Sequence, residues 1–205
     1  MGDYVEIERK YDVDAGFELP GFGDMPGVAS VAGPERYHLV ATYFDTADQR
    51  LAAHKITLRR RTGGADEGWH LKLPGGDSDT RREVRAPLGG GPADGARIPG
   101  HLAARVAEVT AGAPVAPVAV LVTERAVRRL IGTSGQVMAE VADDVVTGQR
   151  TGAAGGGQPL TWREIEVELV SSAPSLLDAA ARVLREAGAR PASAASKLAR
   201  VLAHA

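Results

Sequence analysis

The sequence predicts an α+β fold built on eight largely antiparallel strands, and three observations carry the prediction. Period-2 alternation of apolar with charged residues recurs eight times along the 205-residue chain. Turn-like breaks such as "TGGADEG", "PGGDSD" and "GTSG" separate most of these segments and are short enough for hairpins. Helical spacing of apolar residues is confined to three stretches between and after the strands.

Taken in order, the first strand is "YVEIERKYDV" (4–13), in which Glu6, Glu8 and Lys10 alternate with Val5, Ile7 and Arg9. "LVATYFDT" (39–46), "KITLRRRT" (55–62), "GWHLKLP" (68–74) and "TRREVRAPL" (80–88) follow as strands. A helix over 99–112 places Leu102, Val106 and Val109 on one side. "VLVTERAVRRLI" (120–131), "QVMAEVADDVVTG" (136–148) and "LTWREIEVELV" (160–170) complete the strands. A helix over 173–188 begins at Pro174 and stops at Gly188, and 191–205 forms a last short helix. No stretch is long enough to be a linker, so residues 1–205 are expected to form a single domain.

Composition bounds the function. The apolar fraction is 44% and the charged fraction 24%, as in ordinary globular proteins. The net charge of −2 provides no field for nucleic acid or an anionic membrane. With no cysteine, disulfides and thiolate zinc sites are excluded, and His38, His54, His70, His101 and His204 lack metal spacing. A resident metal would therefore be held by oxygen. No apolar run reaches the roughly 20 residues of a membrane span, and the N-terminal residues carry no signal-peptide pattern. A cytoplasmic location is expected, as a monomer or homodimer with no nucleic-acid or membrane partner. "GAAGGGQ" (152–158) lacks the Lys-Ser/Thr of a phosphate-binding loop and reads as a hairpin loop.

Residues i and i+2 of a strand share a face, and here the polar faces sort by sign. Glu164, Glu166 and Glu168 line one face of the last strand, and Glu140 and Asp144 one face of the strand before it. Arg59 with Arg61, His70 with Lys72, Arg81 with Glu83 and Arg85, and Arg125 with Arg129 form the other faces. A half-buried sheet with its polar side in water explains any one strand. Three glutamates in a row fit it less well, because like charges at this spacing repel. The alternative is a barrel, which eight strands suffice to close, with charged faces inward and apolar faces under the helices. Such an interior would hold hard cations on its acids and a polyanion on its Arg and Lys side chains. His70 either faces that space beside Lys72 or packs as an ordinary histidine. Trp69 and Trp162 are placed on the apolar faces, away from it.

"EIERK" fits the ExExK signature of the CYTH superfamily, the triphosphate tunnel metalloenzymes, and the resemblance runs along nearly the whole chain. "TYFDT", "LRRR…GWHLKLPG", "TER", "EVADD", "WREIEVEL" and "SKLAR" resemble its successive motifs, with thiamine-triphosphatase-like and bacterial members the most similar. The resemblance implies an eight-stranded antiparallel β-barrel forming a tunnel, with covering helices, that binds triphosphates with Mg²⁺ or Mn²⁺. It implies metal ligation by Glu6, Glu8, Asp144, Glu164 and Glu166, with Glu140 a further candidate beside Asp144. It implies phosphate binding by Lys10, Arg59, Arg61, Lys72, Arg125 and Lys197. Lys10, Tyr43, Arg59 and Lys72 are the candidate catalytic residues, Tyr43 in proton transfer. Roles for Glu168, Arg81, Glu83 and Arg85 stay open.

The implied reaction is metal-dependent hydrolysis of a terminal phosphate from a small-molecule triphosphate in a bacterial protein. Inorganic tripolyphosphate is favoured because Phe, Trp and Tyr total only 4%. Thiamine triphosphatase, class IV adenylate cyclase and a non-catalytic polyphosphate-binding module are the alternatives. If the acids repel one another without metal, removing Glu6 or Glu166 should leave the fold as stable or more so.

Overall fold

A computed structural model describes residues 3–76, 79–89, 97–151 and 157–204. The expected hairpin loop at 152–158 lies mostly outside these residues. Eight antiparallel strands close into a barrel: β1 (Asp3–Val13), β2 (Val28–Thr46), β3 (Thr57–Thr62), β4 (Gly68–Pro74), β5 (Thr80–Ala86), β6 (Val115–Gly132), β7 (Val137–Arg150) and β8 (Leu160–Leu169). The order around the barrel is β5-β4-β3-β2-β6-β7-β8-β1, and a β1–β5 pairing closes it. β1 serves both neighbours in turn: Asp3–Ile7 pair with β5, whereas Glu8–Val13 pair with β8. A two-residue strand, β9 (Arg190–Pro191), adds to Tyr11 and Asp12.

The expected strands are present, and β2, β6 and β7 run longer than the alternation predicts. In β2 the missed part is Val28–His38, where Gly33-Pro34 reads as a break. The strand passes through it at a register shift between Ala32 and Glu35. Gly33 has φ +99°, and a Cβ there would lie 2.6 Å from the Val127 carbonyl oxygen, so glycine is required. Proline is tolerated because a bulge leaves ladder positions unpaired.

The outward apolar faces are covered from two sides. α3 (Ser175–Glu186) buries Leu176, Leu177, Ala180, Ala181 and Leu184 against Tyr11, Val13, Val141, Ile165 and Val167. α1 (Arg50–Ala53) and α2 (Gly100–Thr110) cover β3 to β5, with Leu51, Leu102 and Val106 packed against Leu58, Trp69, Leu71 and Val84. α1 has no apolar periodicity and was not expected. It forms because the buried Asp45 carboxylate accepts from the backbone N–H groups of Leu51 (2.8 Å) and Ala52 (2.9 Å). The Asp of "TYFDT" is thus a helix cap.

α4 (Lys197–Ala203) does something different, because it plugs one end of the barrel. Its Leu198 and Val201 pack on Ala41, Tyr43, Ala119, Leu121 and Val146, side chains that share faces with the interior-lining Tyr43, Arg125 and Asp144. Gly148 of β7 makes the seat: a Cβ there would meet Val201 Cγ2 at 2.4 Å. Ser196 caps the helix, its hydroxyl accepting from Ala199 N at 3.1 Å. Among the described residues, no helix is long and apolar enough to cross a membrane.

Candidate functional site

Because the barrel is closed, inward faces that are distant in sequence meet in one chamber. β7, β8 and β1 are contiguous and carry acids; β5, β4 and β3 complete the opposite wall and carry mostly cations. The chamber is lined by Glu6, Glu8, Lys10, Tyr43, Arg59, Arg61, Lys72, Arg125, Glu166 and Lys197, all of them sequence candidates, together with Asp66, Arg81, Arg85 and Glu168. Asp144 and Glu164 are fully buried in its wall beside Lys197. The free volume is only about 70 Å³, room for a few waters, because ion pairs occupy the rest.

Three carboxylates form the tightest group. Asp144, Glu164 and Glu166 each offer an oxygen, and these oxygens lie within 4.8 Å of one another. The Lys197 ammonium sits among them, at 2.7 Å from Glu164, 2.7 Å from Glu166 and 3.0 Å from Asp144. Arg125 forks onto Asp144 at 2.8 and 2.6 Å and reaches Glu166 at 2.6 Å. Lys10 bridges Glu166 (2.5 Å) and Glu8 (2.7 Å). Glu6 stands apart from this group, with Lys72 at 2.5 Å and Arg85 at 3.6 Å.

These pairings set the protonation states. Burial works to raise Glu8, but Lys10 and Lys72 outweigh it and hold its pKa at about 2. Burial is likewise overcome at Glu166, by Lys10, Lys197 and Arg125, and at Asp144, by Arg125 and Lys197. Glu6 and Glu168 go the other way. Burial raises Glu6 beyond what Lys72 offsets, and burial with the charge of Glu6 pushes Glu168 up to about 7. Ion pairs buried in this way tie the strands into one register, and removing one partner strands the other charge.

The cationic wall is less fully paired. Arg59 donates to the Tyr43 hydroxyl at 3.2 Å, and among the described residues it makes no ion pair. Burial would raise the Tyr43 pKa, but Arg59, with Lys197 and Lys72, outweighs it and lowers it. Arg61 is pulled down to about 10 by burial and by the repulsion of Arg59. Its partner is Asp66, whose carboxylate also lies 4.0 Å from Arg85. Asp66 comes from the β3–β4 turn and was invisible to a period-2 reading, because a turn has no face. His70 faces inward, its Nδ1 at 2.8 Å from Glu83 and its Nε2 at 2.9 Å from the Asp66 carbonyl. It staples that turn to β5. Arg81, Glu83 and Arg85 share the inward face: Arg81 donates to the Ala195 carbonyl at 2.9 Å, and Arg85 pairs with Glu83.

One placement is corrected. Trp162 shares parity with Glu164, and its indole N–H donates to Glu164 Oε2 at 2.5 Å, with the Arg200 guanidinium 5.3 Å from its ring. It therefore lies on the acidic face, whereas Trp69 packs outside against Phe44 as expected, with ring centroids 5.0 Å apart. Asp143 turns outward to Arg163, at 2.9 Å, so Asp144 is the inward acid of the two. Glu140 lies toward one mouth, paired with Arg129 at 2.9 Å.

Two openings adjoin the chamber. A cavity of about 320 Å³ shares Arg61, Asp66, Arg85, Arg125 and Glu168 with it and adds Tyr37, Leu39, Val127 and Val170. A side cavity of about 450 Å³ shares Glu8, Lys10, Arg81 and Ala195. It lies where β1 leaves β5 and has not yet met β9.

The closed barrel finds parallels among known proteins. The CYTH domain family profile matches residues 5–202. Two uncharacterised proteins, one from each of two strains of Mycobacterium tuberculosis, are 44% identical over a 210-residue alignment that covers 97% of this chain. The chain spans 40% of the length of each. Among solved structures, a candidate adenylate cyclase from Bacillus halodurans superposes with a TM-score of 0.64 at 20% identity, covering 98% of both chains. A candidate adenylyl cyclase from Hippeastrum, described as having a dominant triphosphatase activity, gives 0.55 at 19% identity, covering 97% of this chain and 94% of that one. At such identities the likeness is one of fold. The profile match, which runs over nearly the whole chain, shows the family directly: the chain belongs to the CYTH domain family.

Proposed function

We propose that the chain is a metal-dependent triphosphatase that cleaves the terminal phosphate of a small-molecule triphosphate, with inorganic tripolyphosphate as the favoured substrate. The observation that carries this reading is the sorting of charge within one chamber. Acids on β7, β8 and β1 face cations on β3 and β4 across a space too small for either set to be a solvated surface. The triphosphatase activity described for the Hippeastrum neighbour is consistent with it.

The acids fit a hard divalent cation. Three carboxylate oxygens within 4.8 Å form an oxygen donor set that already embraces a cationic group, the Lys197 ammonium. Asp144, Glu164 and Glu166 would hold Mg²⁺ or Mn²⁺; Glu8 borders them through Lys10, which it shares with Glu166, and Glu6 stands further off on Lys72. A divalent ion there supplies charge neutralisation at the phosphoryl oxygens and lowers the pKa of a water.

The chain's own side chains do the rest. Arg59, Arg61, Lys72 and Arg125 bind phosphate oxygens and place the chain of phosphates along the barrel. Lys10, held between Glu8 and Glu166 in the acidic wall, neutralises charge that moves onto the leaving diphosphate. The Tyr43 hydroxyl, which accepts from Arg59, would supply a proton to a phosphate oxygen bound by that arginine. Water attacks the terminal phosphorus, the bridging P–O bond breaks, and diphosphate and phosphate leave. No protein nucleophile is required.

A second substrate class is favoured by one observation. The 320 Å³ opening carries Tyr37, Leu39, Val127 and Val170, apolar surface that an organic substituent would cover. Thiamine triphosphate and ATP belong in the same assay, with cyclic AMP as a separately measured product. Phosphate release from tripolyphosphate with Mg²⁺ or Mn²⁺ tests the proposal. Binding without release under any metal would leave a polyphosphate-binding module.

A further inference from the structure

Lys197 was expected among the phosphate-binding cations, yet its ammonium sits in the acidic group. All three carboxylates of that group contact it, at 2.7, 2.7 and 3.0 Å. It is 9% exposed, so water does little to weaken these contacts. Its position is costly by itself, because a lysine in the first turn of a helix opposes the helix dipole. Among the described residues, the three acids offset that cost. A divalent ion bound by the same three oxygens would stand in the space the ammonium fills, and the two charges would repel.

The tether allows an exchange. Ser196 and the packing of Leu198 and Val201 fix α4 in the barrel end, while the four-carbon stem of Lys197 can swing. Lys197 also lines the chamber that holds Arg59, Lys72 and Lys10. A polyanion there would attract the ammonium away from the acids.

We propose that Lys197 is a tethered counter-cation that closes the Asp144–Glu164–Glu166 group until a triphosphate draws it off, so that divalent-ion binding and triphosphate binding are positively coupled. This inference rests on the functional reading above and adds the order built into it. By linkage the coupling is reciprocal, so each ligand strengthens the other by the same factor.

Direct binding tests it without turnover. Mn²⁺ is titrated calorimetrically into the chain, alone and with an imido-linked, non-hydrolysable triphosphate analogue. The wild type should bind Mn²⁺ weakly alone and about tenfold or more tightly with the analogue, within the usual range of coupling between sites. Lys197→Met should bind Mn²⁺ alone about tenfold more tightly than wild type and lose most of the coupling. Lys197→Arg, which keeps the charge, should stay close to wild type. A Lys197→Met chain that folds only with Mn²⁺ supports the proposal equally, since bare acids then need an ion. The proposal is overturned if Lys197→Met folds without Mn²⁺, binds the analogue and yet binds Mn²⁺ no more tightly than wild type. If wild type and both variants bind neither Mn²⁺ nor analogue, the functional reading falls, and this inference with it.

Discussion

Replacing Glu168 with glutamine should stabilise the metal-free protein, and only above the pH at which that carboxyl ionises. Glu168 lies opposite Glu8 of β1 on one side and Glu140 of β7 on the other, so its ladder neighbours are like charges. Among the described residues, no cation forms an ion pair with it. Burial, and then the charge of Glu6, push its pKa up to about 7. The folded chain thus holds this proton more tightly than the unfolded chain does. Its contribution to stability is therefore complete below the ordinary carboxylate range and is lost as pH rises through about 7. The full linkage would be roughly 3 kcal/mol. Because Glu168 is only half-buried, solvent screening reduces the expected gain to about 1–2 kcal/mol. Urea unfolding in EDTA at pH 4.5 and pH 8.5 reads it out. Glu168→Gln should match wild type at the lower pH and exceed it by that amount at the higher. Equal stability at both values, or destabilisation at pH 8.5, refutes the argument that Glu168 is a half-buried acid with no ion-pair partner among the described residues.

Other predictions follow from the same pairings. Glu166→Ala should abolish triphosphate hydrolysis and also destabilise the metal-free fold by about 1.5–3 kcal/mol, because Lys10, Lys197 and Arg125 all lose a charged partner while keeping Glu8, Glu164 and Asp144; unchanged urea stability contradicts this. Gly148→Ala should push Val201 and α4 out of the barrel end, lowering activity while circular dichroism still reports the strands. Arg59→Ala should raise KM with a smaller effect on kcat, since among the described residues Arg59 makes no ion pair that the substitution would break; a change confined to kcat would assign it to the transition state instead.

The sequence carried the barrel because its strands alternate strictly, and a closed sheet makes alternation into an inside and an outside. Asp144 over Asp143, and the shared inward face of Arg59 and Arg61, were legible from parity alone. Parity also placed Trp162 with Glu164, a consequence the apolar character of tryptophan obscured. The turn residue Asp66 has no periodic signature. The short helix α1 is made by a buried carboxylate rather than by an apolar stripe. Pairing partners were the least legible feature. The row Glu164, Glu166 and Glu168 suggests mutual repulsion, so that removing an acid would relieve strain. In the fold Lys10, Arg125 and Lys197 reach Glu166 from three different elements, which reverses the sign of that expectation. Only Glu168 behaves as the isolated sequence suggests.

The central claim is that acids and cations enclosed in one barrel serve metal-dependent hydrolysis of a triphosphate. Steady-state phosphate release from tripolyphosphate, with Mg²⁺ or Mn²⁺ and with EDTA, tests it most directly. The account predicts one phosphate and one diphosphate per tripolyphosphate, dependent on the metal and lost in Glu166→Ala. Binding of tripolyphosphate with no phosphate released under either metal, or release that persists undiminished in EDTA, would contradict it.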